Sequence, residues 1–582
     1  MVSMTKGKRF MARPVLALIL LIGFGFAAQA QDYADVVRNS VYVPVRDGTR
    51  LAVNIYRPAR GDRAETRKLP VVFVFTPYRA RFRRDDGRII ETALSDGLGL
   101  RSLLRAGYVV AVADIRGKGA SFGHRRGFQD RTEALDGHDL VEWLARQAFS
   151  DGKVGMIGCS YLGGTTFHTA STAPPSLKAV FIGATDLDKY SFVRNGGLTA
   201  QFNTRPDEDP SVDLASVPVD ADADGSLLKQ AVDEHFKNTS MSGLWYSMPY
   251  RDSISPLTGN AFWEEVAVWK YLDAIKEAGI ATYFWGNWHD EPTGQVILGA
   301  ANTGGKFLAG PGSHCETPKD FDFTGEIVRY FDFHLKGVDN GIENDPRATY
   351  WVEGLGGEGG YVRSNDLPGV QSRPLPWFLG GEKSGGSRSK NDGTLRPGPG
   401  VSGSDSFTVD YDLPPPEYFA FWARPMDDKG LSYTSPPLSE PIRLIGYPHV
   451  RLNVSTDNPK AALWVYLDLV EGDREAEVIS FGRLKLSHRK LSQPPFETLG
   501  QPWHSGLTAD VELPVRGESV PVSLAMTPIS RVVPVGARLR LTIAGADPRQ
   551  RNLKDIQLDP APKITVLRGG LDASRIELPL AE

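Results

Sequence analysis

The sequence predicts an α/β sheet domain that carries a helical insertion and is followed by a separate β-sandwich. Three observations point there. Up to residue 186, continuous apolar runs alternate with segments of helical spacing. Over residues 187–275 that alternation breaks, with an acidic stretch and helix-like pieces, and then it resumes. From residue 406 onward, short alternating apolar and polar runs recur between turn residues. Strands alternating with helices build parallel sheets covered on both faces, with sites at the carboxyl ends of the strands. An insertion between such strands reads as a cap over that end, and a series of short strands reads as a sandwich. The expected division is a signal peptide over 1–30, a sheet domain over 31–186 and 276–350, a cap over 187–275 and a sandwich over 375–582. At 582 residues the chain is long enough for two or three cores.

The N-terminus carries an address. Lys6, Lys8, Arg9 and Arg13 precede an apolar run over 15–26, and Ala28-Gln29-Ala30 follows. A basic region, a short apolar region and an A-x-A site form a secretory signal, cleaved after Ala30. The run is short for crossing about 30 Å of hydrocarbon. The expectation is a periplasmic or secreted bacterial protein with no membrane anchor after cleavage. A net charge of −4, with no basic tract beyond the N-terminus, argues against a nucleic-acid partner. Oligomeric state stays open, a homo-oligomer included.

Residues 40–56 alternate around Asp47-Gly48, a hairpin signal. Residues 69–75 and 108–113 are continuous apolar runs, as in strands buried on both faces. A helix is expected over 133–147, and further strands over 154–157 and 178–182. In the insertion, helices are expected near 227–236 and 262–275. Strands return at 281–285 and 306–309, with a helix over 326–335. Residues 384–404, rich in Gly, Ser and Pro, read as loop, and strands are expected at 450–454, 463–469, 520–524 and 538–543. There is no repeat period, nucleotide-binding glycine loop or metal-ligand spacing, so no metal or cofactor is expected.

The chemistry centres on Gly158-Cys159-Ser160-Tyr161-Leu162-Gly163. A serine on a sharp strand-to-helix turn needs neighbours without bulk, and the two glycines supply room. The general elbow is G-x-S-x-G; here the second glycine falls one position late. A serine hydroxyl needs a base and a group that orients the base. Asp290 stands just past the strand over 281–285, and His314 just past the strand over 306–309, in the chain order Ser, Asp, His. His289 is the rival base, disfavoured because the histidine belongs on the later loop.

These residues resemble the family that contains cocaine esterase, cephalosporin acylases, α-amino-acid ester hydrolases and X-prolyl dipeptidyl aminopeptidases. The likeness also rests on Thr76-Pro77-Tyr78, on Asp114-Ile115-Arg116-Gly117, on Trp288-His289-Asp290, on Gly310-Pro311-Gly312-Ser313-His314 and on Tyr433-Thr434-Ser435-Pro436-Pro437-Leu438. The late-glycine elbow is that family's own pattern. The resemblance implies an α/β-hydrolase domain, a helical cap and a C-terminal jelly roll, with Ser160, Asp290 and His314 as the triad. It also implies an oxyanion hole made by the Tyr78 hydroxyl and the Tyr161 backbone N–H. Glu291 and Trp288 are candidates for substrate contact.

The resulting expectation is a secreted serine hydrolase that cleaves a carboxylic ester or amide through an acyl-enzyme, acting on a small molecule or short peptide. The alternatives are an X-prolyl dipeptidyl peptidase or α-amino-acid ester hydrolase, and a catalytically silent glycan-binding scaffold. In the family's amino-acid ester hydrolases, extra carboxylates near the catalytic Asp hold the substrate ammonium; here only Glu291 could serve. The acidic stretch over 207–224 reads as a solvated loop, with an ammonium site as the sharper reading. Cys159 and Cys315 are the two cysteines. An oxidising compartment invites a bridge, but Cys159, as a strand neighbour of Ser160, should point to the opposite face, so two free thiols are expected.

Overall fold

The computed structural model describes residue 1 and residues 33–582, apart from 96, 200–206, 388, 390, 415–420, 473–474, 551–556 and 571–572. The signal-peptide segment lies outside the described residues.

The hairpin around Asp47-Gly48 forms the edge of the main sheet. Strands Asp35–Pro44 and Arg50–Arg60 pair antiparallel, with Val43 opposite Leu51, and Gly48 takes φ +84° at the turn. Across the sheet the order continues Val109–Asp114, Leu69–Thr76, Ser150–Cys159, Leu177–Gly183, Ala281–Asn287, Lys306–Gly310 and Ala348–Glu353. From Val109–Asp114 to Ala348–Glu353 every neighbouring pair is parallel. The continuous apolar runs are explained by burial on both faces: Val71, Val72, Phe73, Val74 and Phe75 are fully buried. Strand Gly359–Ser364 adds antiparallel to Ala348–Glu353, carrying the sheet past residue 350.

The helix expected over 133–147 is Arg131–Ala145, and it begins earlier because the Asp130 carboxylate accepts the Glu133 N–H as an N-cap. The insertion contains helices Lys189–Val193 and Met241–Ser247 around a core of Tyr190, Trp245, Phe262 and Trp263, while helix Ser226–His235 packs Leu228 and Val232 against Ala52 and Ala120 of the sheet domain. The single helix expected over 262–275 is three short pieces, Phe262–Glu265, Val268–Tyr271 and Leu272–Glu277. Its apolar spacing serves two cores, since Phe262 and Trp263 pack in the insertion while Leu272 and Ile275 pack against the sheet domain.

The acidic stretch differs from the solvated loop expected. The Asp207 carboxylate accepts the Met241 N–H, Asp222 accepts the N–H groups of Leu227 and Leu228, and Asp220 accepts the Ser40 N–H. Asp213 is fully buried, 3.0 Å from His235 Nδ1 and 3.4 Å from Lys118 Nζ. These carboxylates cap helix starts and fasten the insertion to the sheet domain, which engages them as structural acceptors.

The C-terminal part is built mainly of antiparallel strands, with a parallel pair, Gly393–Arg396 beside Leu431–Thr434. Leu431–Thr434, Arg538–Ala544, Ala462–Val470 and Glu477–Lys485 pair in that order. Gly403–Thr408, Lys563–Arg568, His449–Thr456 and Val520–Ala525 pair in another series. Val450, Val454, Leu463, Leu541, Ile543 and Val566 share the core. The segment read as loop over 384–404 contains strand Gly393–Arg396 and the start of Gly403–Thr408. Gly393–Arg396 pairs with the preceding strand Arg373–Gly380 and with Leu431–Thr434, and Gly403–Thr408 with Lys563–Arg568, pairings that local composition does not report.

Candidate active site

Strand Ser150–Cys159 ends and helix Tyr161–Ala170 begins at Ser160, which stands at φ +60°, ψ −126°. That conformation is strained for a residue with a side chain. It is held by the Ser160 N–H donating to Gly183 O at 3.1 Å and by Ser160 O accepting from the Gly164 N–H at 2.9 Å. The glycines are required by close approach. A Cβ at 158 would lie 2.2 Å from the Leu162 backbone, and one at 163 would lie 2.1 Å from Gly183 O. The late glycine thus permits contact between the helix and the next strand.

His314 and Asp290 meet as expected. His314 Nδ1 lies 3.0 and 2.9 Å from the two Asp290 carboxylate oxygens. Asp290 is buried; burial pushes its carboxyl above the usual range, while the hydrogen bond to His314 opposes that shift. The rival His289 faces elsewhere, with Nε2 3.5 Å from Glu353 and 3.9 Å from Glu477.

Cys159 and Cys315 form a disulfide with a Cα–Cα distance of 6.0 Å. This corrects the expectation of free thiols. The argument that Cys159 points to the opposite face assumed straight strand geometry, but Ser160 turns the chain at φ +60°, and Cys315 itself stands at φ +57°. The bridge joins the residue before Ser160 to the residue after His314.

Tyr161 is the first residue of its helix, so its N–H has no intrahelical acceptor and remains at the elbow. Its side chain turns inward: the hydroxyl donates to Glu133 Oε2 at 2.8 Å and accepts from Arg125 Nη2 at 3.2 Å. Burial pushes the Glu133 carboxyl up to about 8, with the Arg125 charge opposing. Gln129, at φ +53°, donates from Nε2 to Tyr161 O at 2.9 Å and accepts from Lys189 Nζ at 2.6 Å. Tyr78 is half exposed, its ring edge-on to Tyr161 at 6.3 Å. The turn that carries Tyr78 is fixed by Asp114, whose carboxylate accepts the Ala80 N–H at 2.6 Å and the Ala120 N–H at 3.0 Å.

The two candidate substrate contacts have other partners in the fold. Trp288 is only 3% exposed and packs in the sheet-domain core, its Nε1–H donating to Trp351 O at 2.7 Å. Glu291 lies 2.7 Å from Arg483 Nη2 and 3.8 Å from Arg549 Nη1, so its charge is already matched. Sequence reasoning also missed Phe421, whose ring stacks on His314 with centroids 4.2 Å apart and planes 20° apart. It belongs to the C-terminal part, more than a hundred residues along the chain from His314, and its place in the aromatic-rich run 418–422 does not say which distant side chain it meets. Glu133, Arg125 and Gln129 were missed for the same reason.

His289, Glu353 and Glu477 present ligand-type atoms within 4.8 Å of one another. Arg531 already donates to both acids, from Nε to Glu353 at 2.7 Å and from Nη1 to Glu477 at 2.8 Å. A guanidinium thus supplies the positive charge that this group of acids calls for.

A nucleophile elbow, a His–Asp pair and a parallel sheet that carries them define a serine hydrolase with an α/β-hydrolase domain. Residues 47–316 match the family described as X-Pro dipeptidyl-peptidase (S15 family), and residues 340–554 match its C-terminal non-catalytic domain. The chain belongs to this S15 family of esterases and X-Pro dipeptidyl-peptidases. It is 26% identical to a protein named as a serine esterase from Mycobacterium bovis, over 94% of this chain and 96% of that one. It is 24% identical to the cocaine esterase of Rhodococcus sp., over 88% of this chain and 91% of that one. Its fold is similar to that of a CocE/NonD family hydrolase from Staphylococcus aureus, with a TM-score of 0.68 at 19% identity, covering 94% of each chain.

Proposed function

We propose that Ser160, His314 and Asp290 form the catalytic triad of an exported enzyme that hydrolyses carboxylic esters or amides of small molecules or short peptides. The observation that carries this reading is the two-oxygen contact of Asp290 with His314 Nδ1. That contact fixes the imidazole tautomer with Nε2 as the proton acceptor. His314 takes the Ser160 proton as the hydroxyl attacks the substrate carbonyl. The tetrahedral oxyanion is held by the Tyr78 hydroxyl and the Tyr161 N–H, donors preset toward the charge that develops. His314 then protonates the leaving group, and water attacks the acyl-enzyme with His314 again as base. The Phe421 ring over the imidazole restricts its orientation and excludes water from one face.

The division into a sheet domain, a helical cap and a C-terminal jelly roll belongs to the same reading, as do the signal cleavage after Ala30 and the periplasmic or secreted location. Among the described residues no helix is long and apolar enough to cross a membrane. The match to the X-Pro dipeptidyl-peptidase family favours a second reading, cleavage of X-Pro peptides. The pairing of Glu291 with Arg483 weighs against an ammonium anchor at that position.

A fluorophosphonate probe tests the triad: it should label wild type at Ser160 and leave Ser160→Ala unlabelled. An unlabelled wild type would favour the silent scaffold. A panel of p-nitrophenyl esters, amino-acid esters and X-Pro-nitroanilides then separates esterase from peptidase.

A further inference from the structure

Where the sheet domain, the insertion and the C-terminal part meet there is a cavity of about 160 Å³. Glu291 and Gln295, just past Asp290, form one wall; Arg194 comes from the insertion, and Arg483 and Trp503 from the C-terminal part. Ser160, Tyr78 and His314 do not line it.

Several buried donors in its lining are unpartnered among the described residues. Arg194 is 8% exposed and Arg483 4% exposed. The Nε–H groups of both arginines and the Nε1–H of Trp503 are buried and meet no acceptor among the described residues. Arg483 faces Glu291 at 2.7 Å, outside hydrogen-bond alignment. Arg194 donates from Nη2 to Trp245 O, and among the described residues no carboxylate lies within ion-pair distance of it. Burial lowers its hold on the proton. A buried charge without a counter-ion is costly, and buried charges are ordinarily paired.

The charge count favours an anion. In the lining Arg194 and Arg483 stand against Glu291, two cations to one anion, a local excess of one. The two histidines in the lining add nothing at neutral pH, since burial pushes His488 down to about 4 and also lowers His504. A monoanion balances this excess, whereas a dianion would overshoot it. A carboxylate offers two acceptor oxygens to guanidinium and indole N–H groups. With about 30 Å³ per water molecule the cavity holds roughly five waters, the size of an acid of a few carbons. The hydrolysis proposed above releases a carboxylic acid at Ser160, and Glu291 of the lining directly follows Asp290 in the chain.

We propose that this cavity is a binding site for a small monocarboxylate, distinct from the catalytic centre and suited to the acid product class. The choice of product class rests on the reading of the enzyme as an ester or amide hydrolase; the site itself rests on the arginines.

The test is calorimetric titration of the intact protein with sodium butyrate, butyramide and inorganic phosphate, before and after treatment with the fluorophosphonate. Butyrate should bind at one site with treated and untreated protein alike, and butyramide should not bind. Arg194→Gln should weaken butyrate at least tenfold. Trp503→Phe, which keeps the ring packing and removes only the indole donor, should weaken it about threefold and serves if Arg194→Gln fails to fold. Equal binding of butyrate and butyramide, tighter binding of phosphate, or a cavity that takes up only water would overturn the proposal. So would butyrate binding that survives Trp503→Phe unchanged and disappears once Ser160 is labelled. Failure of Ser160 to label would instead count against the hydrolase reading and leave the butyrate titration of untreated protein decisive for the cavity.

Discussion

Cys159 is bonded to Cys315, so a covalent bridge runs between the residue preceding Ser160 and the residue following His314. The two cysteines are 156 residues apart in the chain. Closing a loop of that length removes unfolded-state entropy, and the usual contribution is of the order of 4 kcal/mol where the native geometry accepts the bridge. The bridge also fixes the loop that aims His314. Reduction with dithiothreitol should lower the melting temperature and cut kcat about tenfold or more, with a smaller change in KM. The Cys159→Ala, Cys315→Ala double variant should show the same loss without reductant. Unchanged melting and kcat after complete reduction, verified by thiol titration, would show that the bridge plays neither part.

Tyr78 is half exposed, and the hydrogen bonds of Asp114 fix the turn that carries it. Tyr78→Phe keeps the ring and removes the hydroxyl proposed as an oxyanion donor. Loss of one such donor costs about a hundredfold to a thousandfold in kcat. KM should change little, because the donor acts on charge that develops only in the transition state. Steady-state kinetics on a p-nitrophenyl ester check this; a loss confined to KM would move Tyr78 out of the oxyanion hole.

Glu133 lies beneath the elbow, where burial pushes its carboxyl up to about 8. An exposed glutamate in the unfolded chain titrates near 4.3. Between these values the unfolded state has released the proton and the folded state still holds it. The contribution of Glu133 is therefore complete below about pH 4 and is lost as pH rises towards 8. Glu133→Gln should remove this component, so that its stability falls less between pH 5 and 8 than that of wild type. Urea denaturation across that range measures it; parallel curves for the two proteins would mean that Glu133 is ionised in the fold.

Much of the fold was legible because it rests on local pattern. The strand over 69–75 is a continuous apolar run that the structure buries on both faces, and the elbow announces itself through Gly158 and Gly163. Asp290 and His314 were legible from their places after strands. What the sequence hid depends on contacts between distant segments. Strand Gly393–Arg396 pairs with Leu431–Thr434, and nothing in its Gly-rich surroundings signals that. Phe421 reaches His314 from the C-terminal part. The disulfide escaped because one positive φ at Ser160 redirects its neighbour, a local departure from strand geometry that residue types do not encode.

Selectivity at the amine end of the substrate follows from how the acidic residues are used. An enzyme that prefers a free α-amino group must offer a carboxylate to the ammonium, desolvated and not otherwise matched. Glu291 is engaged with Arg483 and Arg549. In the insertion, Asp207, Asp220 and Asp222 accept backbone N–H groups, and Asp213 is buried against His235 and Lys118. Recruiting any of these would leave a cation or a helix start without its partner. An α-amino ester and its N-acetylated counterpart should therefore be turned over with kcat/KM values within about threefold of each other. A preference for the free amine greater than tenfold would correspond to about 1.4 kcal/mol or more of ammonium recognition. That result would mean that one of these carboxylates changes partners when substrate binds, and Glu291→Gln would then be the variant to abolish the preference.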